Sequence, residues 1–89
     1  MKHGYGVFVW ESSNYYKGNY VMDQRSGYGE MFWNDGSIYK GQWVDGEQHG
    51  EGILYMADGR VKEGIFEKNR FIQRKKINLP NFDHDAATK

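Results

Sequence analysis

The chain of 89 residues has no cysteine, a single proline and no excess of charge of either sign. Without cysteine there are no disulfides, thiolate metal sites or cysteine nucleophiles, which fits a cytoplasmic setting. Twelve Lys/Arg balance twelve Asp/Glu, so no bulk charge draws the chain onto nucleic acid or an anionic membrane. The apolar run near the start, Val7 to Trp10, is shorter than the about 7–15 residues of a signal peptide's apolar region. No stretch approaches the ~20 apolar residues of a membrane-spanning helix. A domain this small buries only about 60–65% of the surface its unfolded chain exposes, which argues against a large enzyme with a deep pocket.

What the chain does contain is glycine and aromatic residues: twelve Gly, three Trp, seven Tyr and five Phe. Aromatics are scarce in disordered chains, so this mixture points to a folded domain. A shift of 23 residues superposes the sequence on itself. Gly4, Gly27 and Gly50 share one phase, Gly6, Gly29 and Gly52 a second, Gly18, Gly41 and Gly64 a third, and Gly36 matches Gly59. Gly46 alone has no glycine partner. Tyr16 matches Tyr39, Trp10 matches Trp33, and Tyr20, Trp43 and Phe66 form a series. The chain therefore divides into a partial unit at 1–15, full units at 16–38 and 39–61, and a terminal strand at 62–71. Residues 72–89, without glycine, form a basic junction and a short irregular tail; Ile77, Leu79 and Phe82 are candidates to cap the last strand.

Each unit predicts two strands, such as YKGNYV with GYGEMFW and YKGQWV with GEGILYM. Asp35-Gly36 and Asp58-Gly59 predict two-residue hairpin turns. Longer turns of about three to five residues are expected near Asp23-Gln24-Arg25 and Gly46-Glu47-Gln48. That register sets Ile38 opposite Trp33, Tyr39 opposite Phe32, and Trp43 opposite Tyr28. Tyr28, Phe32, Tyr39 and Trp43 would then line one face, with Tyr5, Tyr16, Tyr20, Tyr55 and Phe66. Met31, Trp33 and Ile38 would line the other, with Phe8, Trp10, Leu54, Met56 and Val61. Glycines within these strands suit a ring lying flat on bare backbone and a sharply bent sheet.

Tyr39-Lys40-Gly41-Gln42-Trp43, followed by His49-Gly50-Glu51-Gly52 and Asp58-Gly59, closely resembles the MORN (membrane occupation and recognition nexus) repeat, over residues 1 to about 71. Lys62 in place of the leading Tyr, Asn69 in place of the turn Gly, and Ser26 in place of His are departures from the pattern. The resemblance implies an all-β fold: an elongated, curved antiparallel sheet of consecutive hairpins. It also implies a non-catalytic scaffold or dimerisation role, as such arrays serve in ciliary axonemes (radial spoke heads among them), protist cytoskeletons, junctional membrane proteins and some plant phosphoinositide kinases.

The chain holds no Gly-Lys-Ser/Thr phosphate loop, and no Gly-x-Gly-x-x-Gly opens a helix. His3, His49 and His84 lack a metal-ligand set, and Asp35 and Asp58 are explained as turn residues; no catalytic residue, metal site or cofactor is expected. Tyr16, Tyr20, Tyr28, Phe32, Tyr39 and Trp43 are the candidate partner-binding rows, because exposed aromatics anchor binding surfaces. Gly18, Gly27, Gly29, Gly36, Gly41, Gly50, Gly52 and Gly59 are the structural positions of the repeat. Arg70, Arg74, Lys75 and Lys76 form a basic run that suits acidic lipid, at about 1 kcal/mol per charge. The expected partner is a protein, with edge-to-edge self-association, a lipid-bound adaptor or an accessory fragment of an enzyme as alternatives. An acidic array argues against nucleic acid.

Overall fold

Period-2 alternation of aromatic and branched residues with small or polar ones gives strands and no helix in the computed structural model, which describes residues 3–77. The strands are β1 (Gly4–Val9), β2 (Tyr15–Val21), β3 (Gln24–Phe32), β4 (Ile38–Val44), β5 (Glu47–Tyr55), β6 (Val61–Glu67) and β7 (Arg70–Arg74). Each pairs antiparallel with its sequence neighbour in one seven-stranded sheet, so β1 and β7 are its edges. Residues 61–74 make a complete hairpin where a single terminal strand was expected, because Lys68 and Asn69 form a turn between β6 and β7.

The turns correct the expected register. The two-residue loops are Met22-Asp23, Asp45-Gly46 and Lys68-Asn69, and in each both residues have positive φ, as a type I′ turn requires. The Asp35-Gly36 site is a three-residue loop, 34–36: the Trp33 amide donates to the Ser37 carbonyl at 2.9 Å and the Gly36 amide to the Trp33 carbonyl at 3.1 Å. Asp35 accepts the Ser37 amide at 2.8 Å, and only Gly36 turns to positive φ. The same loop recurs between Met56 and Arg60 and between Trp10 and Asn14, where Ser13 holds the left-handed conformation at φ 76. One extra loop residue slips the pairing by one and exchanges the faces. Tyr39 consequently stands opposite Met31, Ile38 opposite Phe32, and Trp43 opposite Gly27.

The corrected register produces a feature that phase alone did not reveal. Gly6, Gly18, Gly29, Gly41, Gly52 and Gly64 pair in succession, a continuous glycine ladder across six strands that ends at Arg74. On this face the bare backbone seats tyrosine rings. Tyr16 lies over Gly18 and Gly29, and Tyr39 over Gly41 and Gly52, so closely that an added Cβ on Gly29 or Gly52 would collide with the phenol.

A one-layer sheet buries rings completely only by curling around them. Tyr16 and Tyr39 are 0% exposed, and Tyr20, Met31, Trp43 and Phe66 are buried beside them. The molecule measures 34 × 24 × 23 Å, whereas a flat sheet would be about one strand layer thick. Tyr5, Val7, Val9, Val21, Val44 and Val61, all on the opposite side of the ladder, are exposed, so that side is convex.

Candidate functional site

The concave face is organised by edge-to-face ring contacts. Tyr20 meets Tyr16, Tyr16 meets Trp43, Trp43 meets Tyr39, Tyr39 meets Phe66, and Phe66 meets Phe71, with centroids 5.0–5.5 Å apart. Contacts of this kind contribute about 0.5–1.5 kcal/mol each beyond burial. The Tyr16 hydroxyl donates to the Asn19 carbonyl at 3.0 Å, the Tyr39 hydroxyl to the Gln42 carbonyl at 2.9 Å, and the Trp43 indole N–H to the Gly29 carbonyl at 3.2 Å. Asn19 and Gln42 sit where the register shifts: three residues, 26–28 or 49–51, oppose one. Gly27 and Gly50, at φ 75 and 94, provide these bulges. Burial pushes the phenols of Tyr16 and Tyr39 well above the usual tyrosine range; Tyr28 is raised likewise, by burial and then by its hydrogen bond to Glu30.

This arrangement separates the six aromatic residues expected to contact a partner. Tyr16, Tyr20, Tyr39 and Trp43 share the concave face but form its core, leaving almost no surface of their own. Tyr28 and Phe32 stand on the convex face, Phe32 stacked on Tyr15 with centroids 4.4 Å apart. Tyr5 and Tyr55 also belong to the convex side, whereas Phe8, Trp10, Met31, Trp33 and Leu54 pack with the concave core. The slip of one residue in the turns accounts for every exchange.

The open part of the concave face lies near β1. One depression of about 410 Å³ is lined by Phe8, Trp10, Tyr20, Asp23, Gln24, Arg25, Asp45 and Gly46. A second, of about 300 Å³, is lined by Trp10, Ser12, Asn14, Arg25, Met31 and Trp33. Trp10 and Arg25 belong to both. The Arg25 guanidinium lies 4.8 Å from the Trp43 ring centroid and 6.0 Å from that of Trp10. Its Nη2 donates to the Gly46 carbonyl at 2.7 Å, and the Gly46 amide returns a bond to the Arg25 carbonyl. Arg25 Nε is buried and has no hydrogen-bond partner within the protein. Repeat reasoning passed over Arg25 because its position varies among the copies, as Lys2, Arg25, Gln48 and Phe71, and carries no recurring glycine. The available signal was that basic residues, Lys2 and Arg25, fill this position in the first two copies and uncharged ones in the next two.

The basic run is split. Lys75 pairs with Glu51 at 2.9 Å, while Arg70, Arg74 and Lys76 are exposed. The Lys75 and Ile77 amides donate to the Glu63 carbonyl and carboxylate, and Ile77 is buried against Ile53, Tyr28 and Tyr55 on the convex face. Ile77 thus covers part of that face; Leu79, Phe82 and His84 lie outside the described residues. Among the described residues no three His, Cys, Asp or Glu side chains gather as a metal set, and no helix is long and apolar enough to cross a membrane.

A ladder of paired glycines under seated tyrosines, repeated along a single-layer antiparallel sheet, defines a β-hairpin repeat protein. The MORN repeat family matches residues 1–15, 16–38 and 39–59, and the chain belongs to it. MORN repeats are non-catalytic modules that in general engage proteins or membrane lipids. Comparison with curated proteins returns no match.

Proposed function

We propose that this chain is a protein-docking scaffold that receives an extended segment of a partner along the concave face between Phe8, Trp10 and Trp33, with Arg25 as the polar anchor. The observation that carries the reading is that Trp10 and Arg25 line both of two adjoining depressions walled by aromatic rings. A carbonyl or carboxylate of the partner would be attracted to the Arg25 cation, and rings that need little reordering on binding would supply the contact area. In this reading the chain binds and carries out no chemistry of its own. Placement in a cytoplasmic, cytoskeletal or ciliary axonemal assembly is part of this proposal, supported by the family resemblance.

Selection of extended peptides from a displayed library tests it. Peptides that lose binding to Trp33→Ala and Arg25→Ala proteins, with both variants still melting cooperatively, support the groove. Selected peptides indifferent to both substitutions contradict it. A second reading, a lipid-bound adaptor, is favoured by exposed Arg70, Arg74 and Lys76. It predicts binding to vesicles rich in phosphatidylserine that disappears when these three are neutralised; absence of binding by the parent chain rejects it.

A further inference from the structure

The three glycines of the second phase are equivalent in sequence but not in surroundings. Gly29 lies beneath Tyr16 and Gly52 beneath Tyr39; a Cβ on Gly6 would meet nothing within 4 Å. The first phase repeats the contrast. Gly27 has Asn19 Cβ at 3.8 Å from an added Cβ and Gly50 has Gln42 Cβ at 3.3 Å, whereas Gly4 has open space. Gly4 nevertheless holds φ 86, in the range of the bulge residues Gly27 and Gly50 at φ 75 and 94. β1 therefore presents the backbone of a strand prepared for a neighbour on its free side: the bulge is formed and the ring seat is empty.

Its side chains suit the same end. β1 reads GYGVFV and carries no charge, and Tyr5, Val7 and Val9 are 60–68% exposed. The opposite edge, β7, carries Arg70 and Arg74, the type of residue that keeps an edge from pairing. Gly6 lies on β1 between Gly4, which pairs with Tyr20, and Phe8, and Tyr20 and Phe8 both line the larger depression. Tyr39 reaches across to Phe66, and Tyr16 reaches across to Trp43; the ring one step earlier in this series would meet Tyr20, and Phe8 and Tyr20 line that depression.

We infer that the free edge of β1 is a docking site for an antiparallel strand of pattern Tyr-x-Gly-Asn/Gln, whose glycine pairs with Gly6 and whose tyrosine ring lies on Gly6 and enters the depression beside Tyr20. The site continues the interface that β2 makes with β3 and β4 with β5. This inference deepens the docking proposal, on which it rests for the larger depression, by naming backbone addition as the mode and tyrosine as the anchor.

The test uses the full chain and a blocked synthetic peptide with the sequence of its own β4, IYKGQWV. Hydrogen exchange and NMR should show at least tenfold slower exchange at β1 amides facing away from β2, with shifts at Tyr20 and Phe8. Replacing the peptide tyrosine by alanine should weaken binding at least tenfold, and Gly6→Val should do the same. Gly6→Val should leave the melting temperature unchanged, since no atom occupies that space; Gly6→Ala gives the same contrast through a smaller group if valine disturbs the strand. Binding indifferent to both Gly6 substitutions, or no protection at β1 up to the solubility limit of the peptide, overturns the inference. Protection that rises with protein concentration alone also overturns it, assigning the edge to a second copy. Peptide binding lost in Trp33→Ala but not in Gly6→Val would sink the edge site while leaving the groove standing.

Discussion

The two inner junctions of the sheet, β2–β3 and β4–β5, and the terminal junction β6–β7 are built from the same repeat and behave differently. At the inner junctions Tyr16 and Tyr39 cover paired glycines, and each bonds a carbonyl beside a bulge where three residues oppose one. At the terminal junction Lys62 stands in the tyrosine phase and Gln73 in the bulge-glycine phase. There the shift falls to one extra residue, Ile72, and the glycine ladder ends against Arg74. Tyrosine, glycine pair and wide bulge are lost together. The comparison teaches that they act as one device: the bulge needs a residue at positive φ, the hydroxyl satisfies a carbonyl at the shift, and the ring needs bare backbone beneath it.

Several substitutions break or sharpen that contrast. Tyr39→Ala should cost about 3–5 kcal/mol, as for other buried rings removed from a core, whereas Lys62→Ala at the equivalent terminal position should stay within about 0.5 kcal/mol; urea unfolding measures both. Gly29→Ala should cost about 1–3 kcal/mol through overpacking against the Tyr16 phenol. Equal costs at the inner and terminal sites would erase the distinction.

The first loop offers a comparison with opposite sign. Ser13 holds the positive φ that Gly36 and Gly59 hold in the other two loops, so Ser13→Gly should stabilise by about 1 kcal/mol, read as a higher melting temperature. The smallest effect expected is reconstruction of the device at the end of the sheet. Lys62→Tyr with Gln73→Gly should be more stable than the two single variants predict together, by about 0.5–1 kcal/mol.

Acidity adds a test that needs no mutation. The folded-state phenols of Tyr16, Tyr28 and Tyr39 ionise well above the unfolded value of about 10. Above that pH the unfolded chain loses protons that the folded chain keeps. The stability contributed by burying neutral phenols is thus intact below about pH 10 and declines as pH rises toward the raised values. Denaturant midpoints measured between pH 8 and 11 should fall in the upper half of that interval.

Much of this architecture was legible in the sequence because backbone geometry restricts residue choice. Only a few residues tolerate positive φ or a ring on bare backbone, so the glycine phases declared the period and the run of hairpins, but not the last hairpin, whose Lys68-Asn69 turn and β7 carry no glycine. Register was not legible. Asp35-Gly36 resembles a two-residue turn, and what separates it from Asp45-Gly46 is whether the aspartate itself adopts positive φ or instead binds the next-but-one amide. Residues 23, 46 and 69, Asp, Gly and Asn, formed the informative column, since all three tolerate that conformation. Arg25 escaped for another reason: its position differs from copy to copy, and its importance arises from Trp10 and Trp43, whose approach depends on the strand register.

The coupling between ring and glycine is tested most directly by a double-mutant cycle of Tyr39→Ala and Gly52→Ala, with unfolding free energies measured for all four proteins. If the ring is what makes Gly52 obligatory, Gly52→Ala costs about 1–3 kcal/mol in the parent and close to nothing once Tyr39 is alanine. Equal costs in the two backgrounds would contradict the account.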